Sequence, residues 1–375
     1  GRRPVLLAAR NAHKALLYAA ALLDFDIRWL WPSAQAEGAL CSCPVTAEAL
    51  TGALHAMAQQ GNTPFGVYVT SPDYLGGVQD IPALAAVCRA QGVPLLVDNA
   101  HGAYLRFLPQ NCHPIAQGAA MCCDSAHKTL PVVTGGAYLH LAHDAPVQDE
   151  AAVRGALALF GSTSPSYLIL QSLDACNAVL AGEYPQRLAQ CCATLESLRR
   201  SLNKAAAARQ CPVPLAVAGA QQEPMKLTLD AAALGCTGTT LAEALRRAQL
   251  ECEYADPRYV VLMFTPENPP QDFERLQTAL EQLLAAVPAG LPRPENRAGE
   301  FAALQQQAVQ RCTIRQAVLG AQVRIPVHKA LGRVCAMPTV SCPPAIPVAV
   351  SGEEITPAAI ALMQRYGIEE LSVLR

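Results

Sequence analysis

The sequence lacks the features that mark several common classes of protein. Only 15% of its 375 residues are charged and the net charge is −2, so electrostatics favour neither nucleic acid nor an anionic membrane as a partner. No apolar stretch reaches transmembrane length without a Pro, a Gly or a charge. The first residues, 1–7, resemble the start of a secretory signal, but charge returns at Arg10 and Lys14 before an apolar region develops. The sequence therefore predicts neither a membrane span nor a signal peptide.

Cysteine is abundant, with 15 residues, but no Cys-x-x-Cys pattern is present. The irregular spacing predicts no zinc site, and cysteines in apolar segments behave as small hydrophobic residues. Four histidines have no partners at ligand spacing and are interpreted as structural: His55, His113, His140 and His143. We therefore expect no metal, and a cytoplasmic protein with reduced thiols.

A lysine motif is the most informative feature that is present. Lys128 lies in Ser125-Ala126-His127-Lys128, after the apolar run Ala119 to Cys123 and before Gly135-Gly136. A lysine just past a strand, preceded by a serine and a histidine, is suited to pyridoxal phosphate (PLP). Its amine can form a Schiff base, and the hydroxyl and the imidazole can reach the cofactor phosphate.

An aspartate upstream completes the PLP signature. Asp98 ends the apolar run Val93 to Val97, about thirty residues before Lys128. PLP enzymes pair the lysine with an acidic residue that keeps the pyridinium nitrogen protonated. The two elements in this order indicate fold-type I PLP chemistry, although Asp98 could also act only as a helix cap.

Alternating strands and helices predict an α/β fold with a mostly parallel sheet. The predicted strands of this sheet are Val5 to Ala8, Ile27 to Trp31, Gly66 to Thr70, Leu95 to Val97, Ala119 to Cys123 and Ala137 to Leu141. In such sheets the ligand binds at the carboxyl ends of the strands, which is where Asp98 and Lys128 fall.

The predicted organisation has three parts. Residues 1–185 form the large PLP-binding domain, and 186–288 form a smaller α/β domain reached by the long helix Gln186 to Arg209. Residues 289–375 hold a linker rich in Pro and Gly, followed by a C-terminal subdomain. We expect one helix from Phe301 to Val318 there, and a threonine cap at Thr239 or Thr240 in the smaller domain.

Several runs together resemble one family. They are Arg10-Asn11-Ala12-His13-Lys14, Thr70-Ser71-Pro72-Asp73-Tyr74-Leu75-Gly76-Gly77, Val97-Asp98-Asn99-Ala100-His101-Gly102, Ser125-Ala126-His127-Lys128-Thr129-Leu130-Pro131, Ser162-Thr163-Ser164-Pro165-Ser166-Tyr167 and Cys342-Pro343-Pro344-Ala345-Ile346-Pro347. The chain resembles the Orn/Lys/Arg decarboxylases, fold-type I (aminotransferase-like) PLP enzymes, and their short bacterial arginine-decarboxylase-type members most. The resemblance implies a lyase of polyamine biosynthesis that decarboxylates a basic amino acid, arginine before lysine or ornithine, and works as a homodimer with shared active sites.

The resemblance also implies roles for single residues. By this resemblance Lys128 would be the Schiff-base lysine and Asp98 the partner of the pyridine nitrogen. Further implied roles are ring stacking by His13 and phosphate contact by Ser125 and His127. Thr163 and Ser164 would approach a neighbouring subunit's phosphate, and Glu253 would lie near the substrate entrance. We also expect His101 at the cofactor, where it could bind the cofactor or simply pack beside it.

Alternatives stay open at this stage. His13 could be a half-buried structural histidine, Thr163 and Ser164 could only cap a helix, and Glu253 could be a solvated carboxylate. The chain could catalyse another PLP reaction, such as transamination or β-elimination, or be a non-enzymatic relative. Family members carry an upstream Gly/Ser/Thr turn that holds the phosphate at a helix N-terminus, and this sequence begins after it. We therefore expect the chain as given to bind PLP weakly.

Overall fold

The computed structural model describes residues 3–32, 40–288, 290–294, 300–337 and 347–375. They divide into two units. The first contains the described residues of Gly1–Tyr74, Gln79–Gly182 and Ala298–Arg375, and the second those of Leu75–Val78 and Glu183–Arg297. The C-terminal residues thus group with the first unit, and the three-part division expected from the sequence stays a prediction.

The first unit begins with alternating strands and helices. They are β1 Val5–Ala9, α1 Lys14–Leu23, β2 Asp26–Leu30, α2 Ala47–Gln59, β3 Val67–Thr70, α3 Ile81–Ala90, β4 Leu95–Asp98, β5 Met121–Asp124, α4 Ala126–Thr129, β6 Tyr138–Leu141, α5 Glu150–Phe160 and α6 Tyr167–Ala181. The six strands form one sheet in the order β2-β1-β3-β4-β5-β6. All neighbours pair in parallel except β5 and β6. The predicted α/β fold with a mostly parallel sheet is confirmed.

Side-chain caps define the starts of two helices. Helix α1 begins at Lys14, because His13 is its N-cap and Nδ1 accepts the Ala15 amide at 3.2 Å. In the second unit the cap expected at Thr239 or Thr240 is Thr237, whose hydroxyl accepts the Thr240 amide at 3.2 Å. That prediction was wrong because several threonines adjoin the helix start, and only the backbone shows which one lies outside it.

The second unit packs helices against a small sheet. Its elements are α7 Tyr184–Ala208, β7 Lys226–Asp230, α8 Gly238–Arg247, β8 Tyr254–Ala255, β9 Tyr259–Met263 and α9 Pro270–Ala285. The strands run antiparallel in the order β7-β9-β8. Leucines spaced along one face of α7 and α9 are buried, including Leu195, Leu202 and Leu280.

The C-terminal residues complete the first unit. They form α10 Glu300–Gln307, α11 Ile314–Leu319, β10 Gln322–Pro326, α12 Pro357–Arg365 and β11 Glu370–Leu374. The single helix predicted from Phe301 to Val318 is wrong, because a new helix starts after a capping box in which Thr313 and Gln316 exchange side-chain hydrogen bonds. Ile314 of α11 lies in the core that α1 forms on the sheet.

Arg10 joins the first strand to the C-terminal segment. It follows β1, is fully buried, and donates to both carboxylate oxygens of Glu353 at 2.7 and 2.8 Å. Its guanidinium also lies 4.4 Å from the ring centroid of Trp31. This pair connects two residues that are 343 positions apart in the sequence.

None of the helices in the described ranges combines the length and the apolar character that crossing a bilayer requires.

The buried ion pair generates a stability prediction. Glu353→Gln should lower the free energy of unfolding by about 3–5 kcal/mol, because it leaves the Arg10 charge buried without its counter-ion. The control is Glu370→Gln, which breaks the ion pair between Glu370 and Arg324 on the surface and should cost less than about 1 kcal/mol. Urea unfolding of both variants measures the difference. Equal losses in the free energy of unfolding would show that the buried pair stabilises the fold no more than the surface pair does.

Candidate functional site

Lys128 lies beyond the carboxyl end of β5, in the short helix α4. Its Nζ is 3.2 Å from Nε2 of His101, which is buried in the turn after β4. The His101 ring also meets Tyr74 edge to face, with ring centroids 5.0 Å apart. The structure thus brings together two of the predicted site residues, Lys128 and His101, from neighbouring strand ends.

Asp98 is the last residue of β4 and is 8% exposed. One carboxylate oxygen accepts the Ala100 amide at 3.1 Å, and the other accepts the Tyr68 hydroxyl at 2.8 Å. Burial, and then the charge of Asp98, raise the pKa of Tyr68 well above its usual value, so this hydroxyl keeps its proton as a donor. The carboxylate is therefore held in one orientation at the sheet edge.

His13 belongs to the same electrostatic neighbourhood. Burial is the largest influence and lowers its pKa below the usual 6.5; Lys128 lowers it further, while Asp98 acts in the opposite direction. The imidazole is therefore neutral near pH 7, and the charges of both Asp98 and Lys128 act on its pKa. Its helix cap shows that a structural role is real, and the cap occupies only Nδ1.

Ser125 and His127 flank the start of α4. Ser125 is the N-cap residue, but its side chain makes no capping hydrogen bond. Nδ1 of His127 lies 2.9 Å from the Gly136 carbonyl, to which it donates in the matching tautomer. Both side chains are half-buried beside Lys128. The arrangement leaves the Ser125 hydroxyl and Nε2 of His127 as groups that could contact a phosphate.

The other predicted site residues lie elsewhere. Thr163 and Ser164 are exposed in the loop between α5 and α6, where Ser162 accepts the Ser164 amide at 3.2 Å. Neither caps α6; Ser166 does, by accepting the Ile169 amide. Glu253 is exposed, in the second unit just before β8.

The structure also forms a cluster that sequence reasoning missed. Oδ2 of buried Asp124, the last residue of β5, is 3.0 Å from Nε2 of both His113 and His140. Its other oxygen accepts the Asn99 amide at 2.8 Å. These two histidines have no partner at ligand spacing in the sequence, but in the structure they share Asp124 as a partner. No sequence spacing reveals the cluster, because strand pairing and a loop bring its members together.

The cluster borders a cavity of about 640 Å³. Burial would raise the pKa of Asp124, but the hydrogen bonds from His113, His140 and Asn99 outweigh it and hold the pKa well below its usual value. Asp124 is therefore an ionised carboxylate surrounded by donors. The same two imidazoles and carboxylate are close enough to be considered as metal ligands.

Comparisons with known proteins agree with this architecture. The Orn/Lys/Arg decarboxylase major-domain family matches residues 2–271. The uncharacterized protein YaaO of Bacillus subtilis is 28% identical over 96% of this chain and 73% of its own length. An arginine decarboxylase of the same organism is 27% identical over 94% of this chain and 70% of its own length. The solved structure of Escherichia coli constitutive lysine decarboxylase superposes with a TM-score of 0.72 at 18% identity, over 99% of this chain and 67% of that one.

These findings confirm the expected fold and the resemblance. The structural neighbours show the fold-type I architecture, in which the carboxyl ends of parallel strands carry the site. Because the family match extends over most of the sequence, this chain belongs to the Orn/Lys/Arg decarboxylase family.

Proposed function

We propose that this chain is a PLP-dependent decarboxylase of a basic amino acid, with arginine ahead of lysine and ornithine. One observation carries the proposal: Asp98 ends β4, Lys128 follows the adjacent parallel strand β5, and Asp98 stands opposite Cys123 in the register. An acid and an amine at neighbouring strand ends match what PLP requires. Bacillus relatives named arginine decarboxylase support the preference for arginine.

The residues at this edge fit the cofactor. The half-buried Lys128 amine suits the aldehyde, the buried Asp98 carboxylate suits the pyridine nitrogen, and the neutral His13 ring suits the pyridine face. Ser125 and His127 would hold the phosphate. When bound, PLP supplies an electron sink that stabilises the negative charge left at Cα when CO2 departs.

Each side chain has a task that its surroundings support. Asp98, held by the Tyr68 hydroxyl and the Ala100 amide, would keep a proton on the pyridine nitrogen. His13 would cover the ring without placing a positive charge beside it. His101, 3.2 Å from Nζ, would orient the Lys128 amine. Glu253, in the second unit, remains a candidate for the substrate entrance.

A homodimer and a cytoplasmic location belong to the same proposal. Helix α5 has no buried residue, and α5 and α6 expose a group of large apolar side chains: Leu157, Leu159, Phe160, Tyr167, Leu168 and Leu170. An exposed apolar surface of this kind is typical of a protein interface. A second copy covering it would also meet the loop of Thr163 and Ser164, in accord with sites shared between subunits. The described cysteines are free thiols, which is usual in a reducing compartment.

Activity assays test the reaction. The PLP-loaded chain should release CO2 from L-arginine faster than from L-lysine or L-ornithine, and Lys128→Ala should abolish release. Asp98→Asn should lower kcat at least ~100-fold, or about 2.7 kcal/mol, because the electron sink loses its charged partner. Lys329→Ala, which changes an exposed lysine, is the control.

Borohydride reduction should attach the cofactor to Lys128, and a label on another lysine would contradict the assignment. Transamination products would favour the alternative PLP reaction, and a colourless, inactive protein would favour a non-enzymatic relative.

The lowered pKa of His13 generates a pH prediction. The unfolded chain takes up a proton at this histidine near pH 6.5, and the folded chain does so only at lower pH. Stability should therefore fall as pH drops below about 6.5, and His13→Gln should remove part of this loss. Histidine NMR of the cofactor-free protein, with the His13 signal assigned from the variant, should give a midpoint below 6.5. A midpoint above that value would contradict the prediction.

Charge placed on the apolar surface tests the dimer. Leu168 is 75% exposed, and Leu168→Glu should convert a dimer to a monomer by burying an unpaired carboxylate in the interface. Leu331, 60% exposed and outside α5 and α6, provides the matched control Leu331→Glu, which should stay dimeric. Light scattering after size exclusion measures both masses. A monomeric parent chain, or a dimeric Leu168→Glu, would refute this interface.

A further inference from the structure

The hydrogen-bond partners of His113 indicate what kind of cluster surrounds Asp124. Nδ1 of His113 accepts the backbone amide of Ile115 at 3.3 Å, which assigns the ring proton to Nε2. That Nε2–H then donates to Asp124 at 3.0 Å. A metal at Nε2 would require the proton on Nδ1, where it would face the Ile115 N–H, and ligating histidines normally donate from their second nitrogen. The geometry favours a hydrogen-bonded carboxylate over a metal centre.

Asp124 has a full set of donors. Oδ2 is 3.0 Å from Nε2 of His113 and from Nε2 of His140. Oδ1 accepts the side-chain amide of Asn99 at 2.8 Å and the Cys122 thiol at 3.3 Å. A buried carboxylate is tolerated when its lone pairs are satisfied in this way. Cys122 lies in β5 itself, whereas the other donors come from β6 (His140), from the residue after β4 (Asn99) and from the loop before β5 (His113), so Asp124 fixes these segments relative to one another.

Asn99 links the cluster to the site. It follows Asp98 directly, is fully buried, and its Nδ2 points to Asp124. Turning the amide over would place its oxygen against the carboxylate, so Asp124 sets its orientation. The side chain also fits closely against Gly102, where an added Cβ would overlap Asn99 Oδ1. The Asn99 carbonyl accepts the Gly102 amide at 2.8 Å and thereby closes the turn.

This turn carries His101. Residues 99–102 lie between the aspartate that ends β4 and the helical turn beginning at Ala103. At the start of this turn the backbone N–H of Asn99 donates to the Cys123 carbonyl at 2.9 Å. At its end the backbone N–H of Gly102 donates to the Asn99 carbonyl. These two backbone hydrogen bonds hold the turn in the conformation in which Nε2 of His101 lies 3.2 Å from Nζ of Lys128. A continuous set of contacts therefore runs from Asp124 through Asn99 to the His101–Lys128 pair.

We propose that Asp124 and Asn99 are positioning residues that hold the 99–102 turn and, through His101, set the orientation of the Lys128 amine. The catalytic part rests on the proposed decarboxylase function, whereas the structural part concerns this chain alone. The cluster is connected by hydrogen bonds to the residues proposed to bind the cofactor, and neither Asp124 nor Asn99 needs to touch substrate.

A reciprocal exchange tests the proposal. Asn99→Asp places two carboxylates face to face, and Asp124→Asn leaves two donors facing each other, so each single variant should disrupt the turn. The double variant Asn99→Asp/Asp124→Asn restores one donor and one acceptor, and its amide oxygen can accept from both histidines. The control is Asn111→Asp, which adds the same charge beside the same cavity and keeps the acceptor for the His113 amide.

Two readouts separate this idea from the reaction itself. In cofactor-free protein, amide exchange at residue 99 and Gly102 should accelerate at least ~10-fold in each single variant while β1 and β2 stay unchanged, because the opening is local. The double variant should return exchange to within ~3-fold of the parent chain. With PLP, kcat should fall at least ~10-fold in each single variant with KM within ~2-fold, and should recover in the double variant.

The outcomes are distinct. An inactive parent chain would defeat the proposed decarboxylation, and the exchange measurements would still decide the role of the turn. Uniform acceleration of exchange, or no recovery in the double variant, would overturn the positioning role. Elemental analysis after dialysis against Zn²⁺ provides a further check. One bound zinc per chain that His140→Ala removes would replace the hydrogen-bonded cluster with a metal centre.

Discussion

The parallel pairing of β4 with β5 is the constraint on which the site depends. It puts Asp98 opposite Cys123, so the residues that follow each strand emerge at the same edge of the sheet. The chain after β4 turns toward Lys128, and the chain after β5 carries Lys128 itself. A slip of one residue in this register would turn alternate side chains to the other face and separate the acid from the amine.

The polar residues buried at the carboxyl ends of β4 and β5 are held by hydrogen bonds. Asp98, Asn99, His101 and Asp124 are all buried, where each charged or polar group costs free energy unless it is hydrogen-bonded. Asp98 accepts from a backbone amide and the Tyr68 hydroxyl, and Asp124 accepts from side chains of a neighbouring strand and of loops. Such a network stabilises one arrangement of the strand ends because any other would leave a buried carboxylate unsatisfied. The fixed positions of the site residues therefore depend on the hydrogen bonds that Asp98 and Asp124 accept.

The Arg10–Glu353 pair extends the same principle to the far end of the chain. Arg10 lies three residues before His13, and Glu353 comes from the segment before α12. The buried, bidentate pair fixes the loop that presents His13 against a segment distant in sequence. This contact gives the C-terminal residues a role in holding the first unit together.

Local patterns predicted much of the fold. Apolar runs ending in Asp98 and preceding Lys128 indicated buried strands because buried parallel strands are continuously apolar, and both strands are present. Positions that depend on backbone detail were less accessible. The break before Thr313 was missed because apolar residues continue across it, whereas the capping box forms only when the backbone leaves the helix. Thr163 and Ser164 carried a cap signal, and the cap is Ser166.

The sequence by itself determined the α/β class and the two residues that define the proposed chemistry, Lys128 and Asp98. These depend on short-range order, since each lies at the end of its own apolar strand. Tertiary structure alone decided that His113 and His140 meet at Asp124, and that Arg10 meets Glu353. Their partners are far apart or on different strands, so no local periodicity encodes the contact. The three-dimensional pairing of strands, driven by burial of the whole core, brings them within hydrogen-bonding distance.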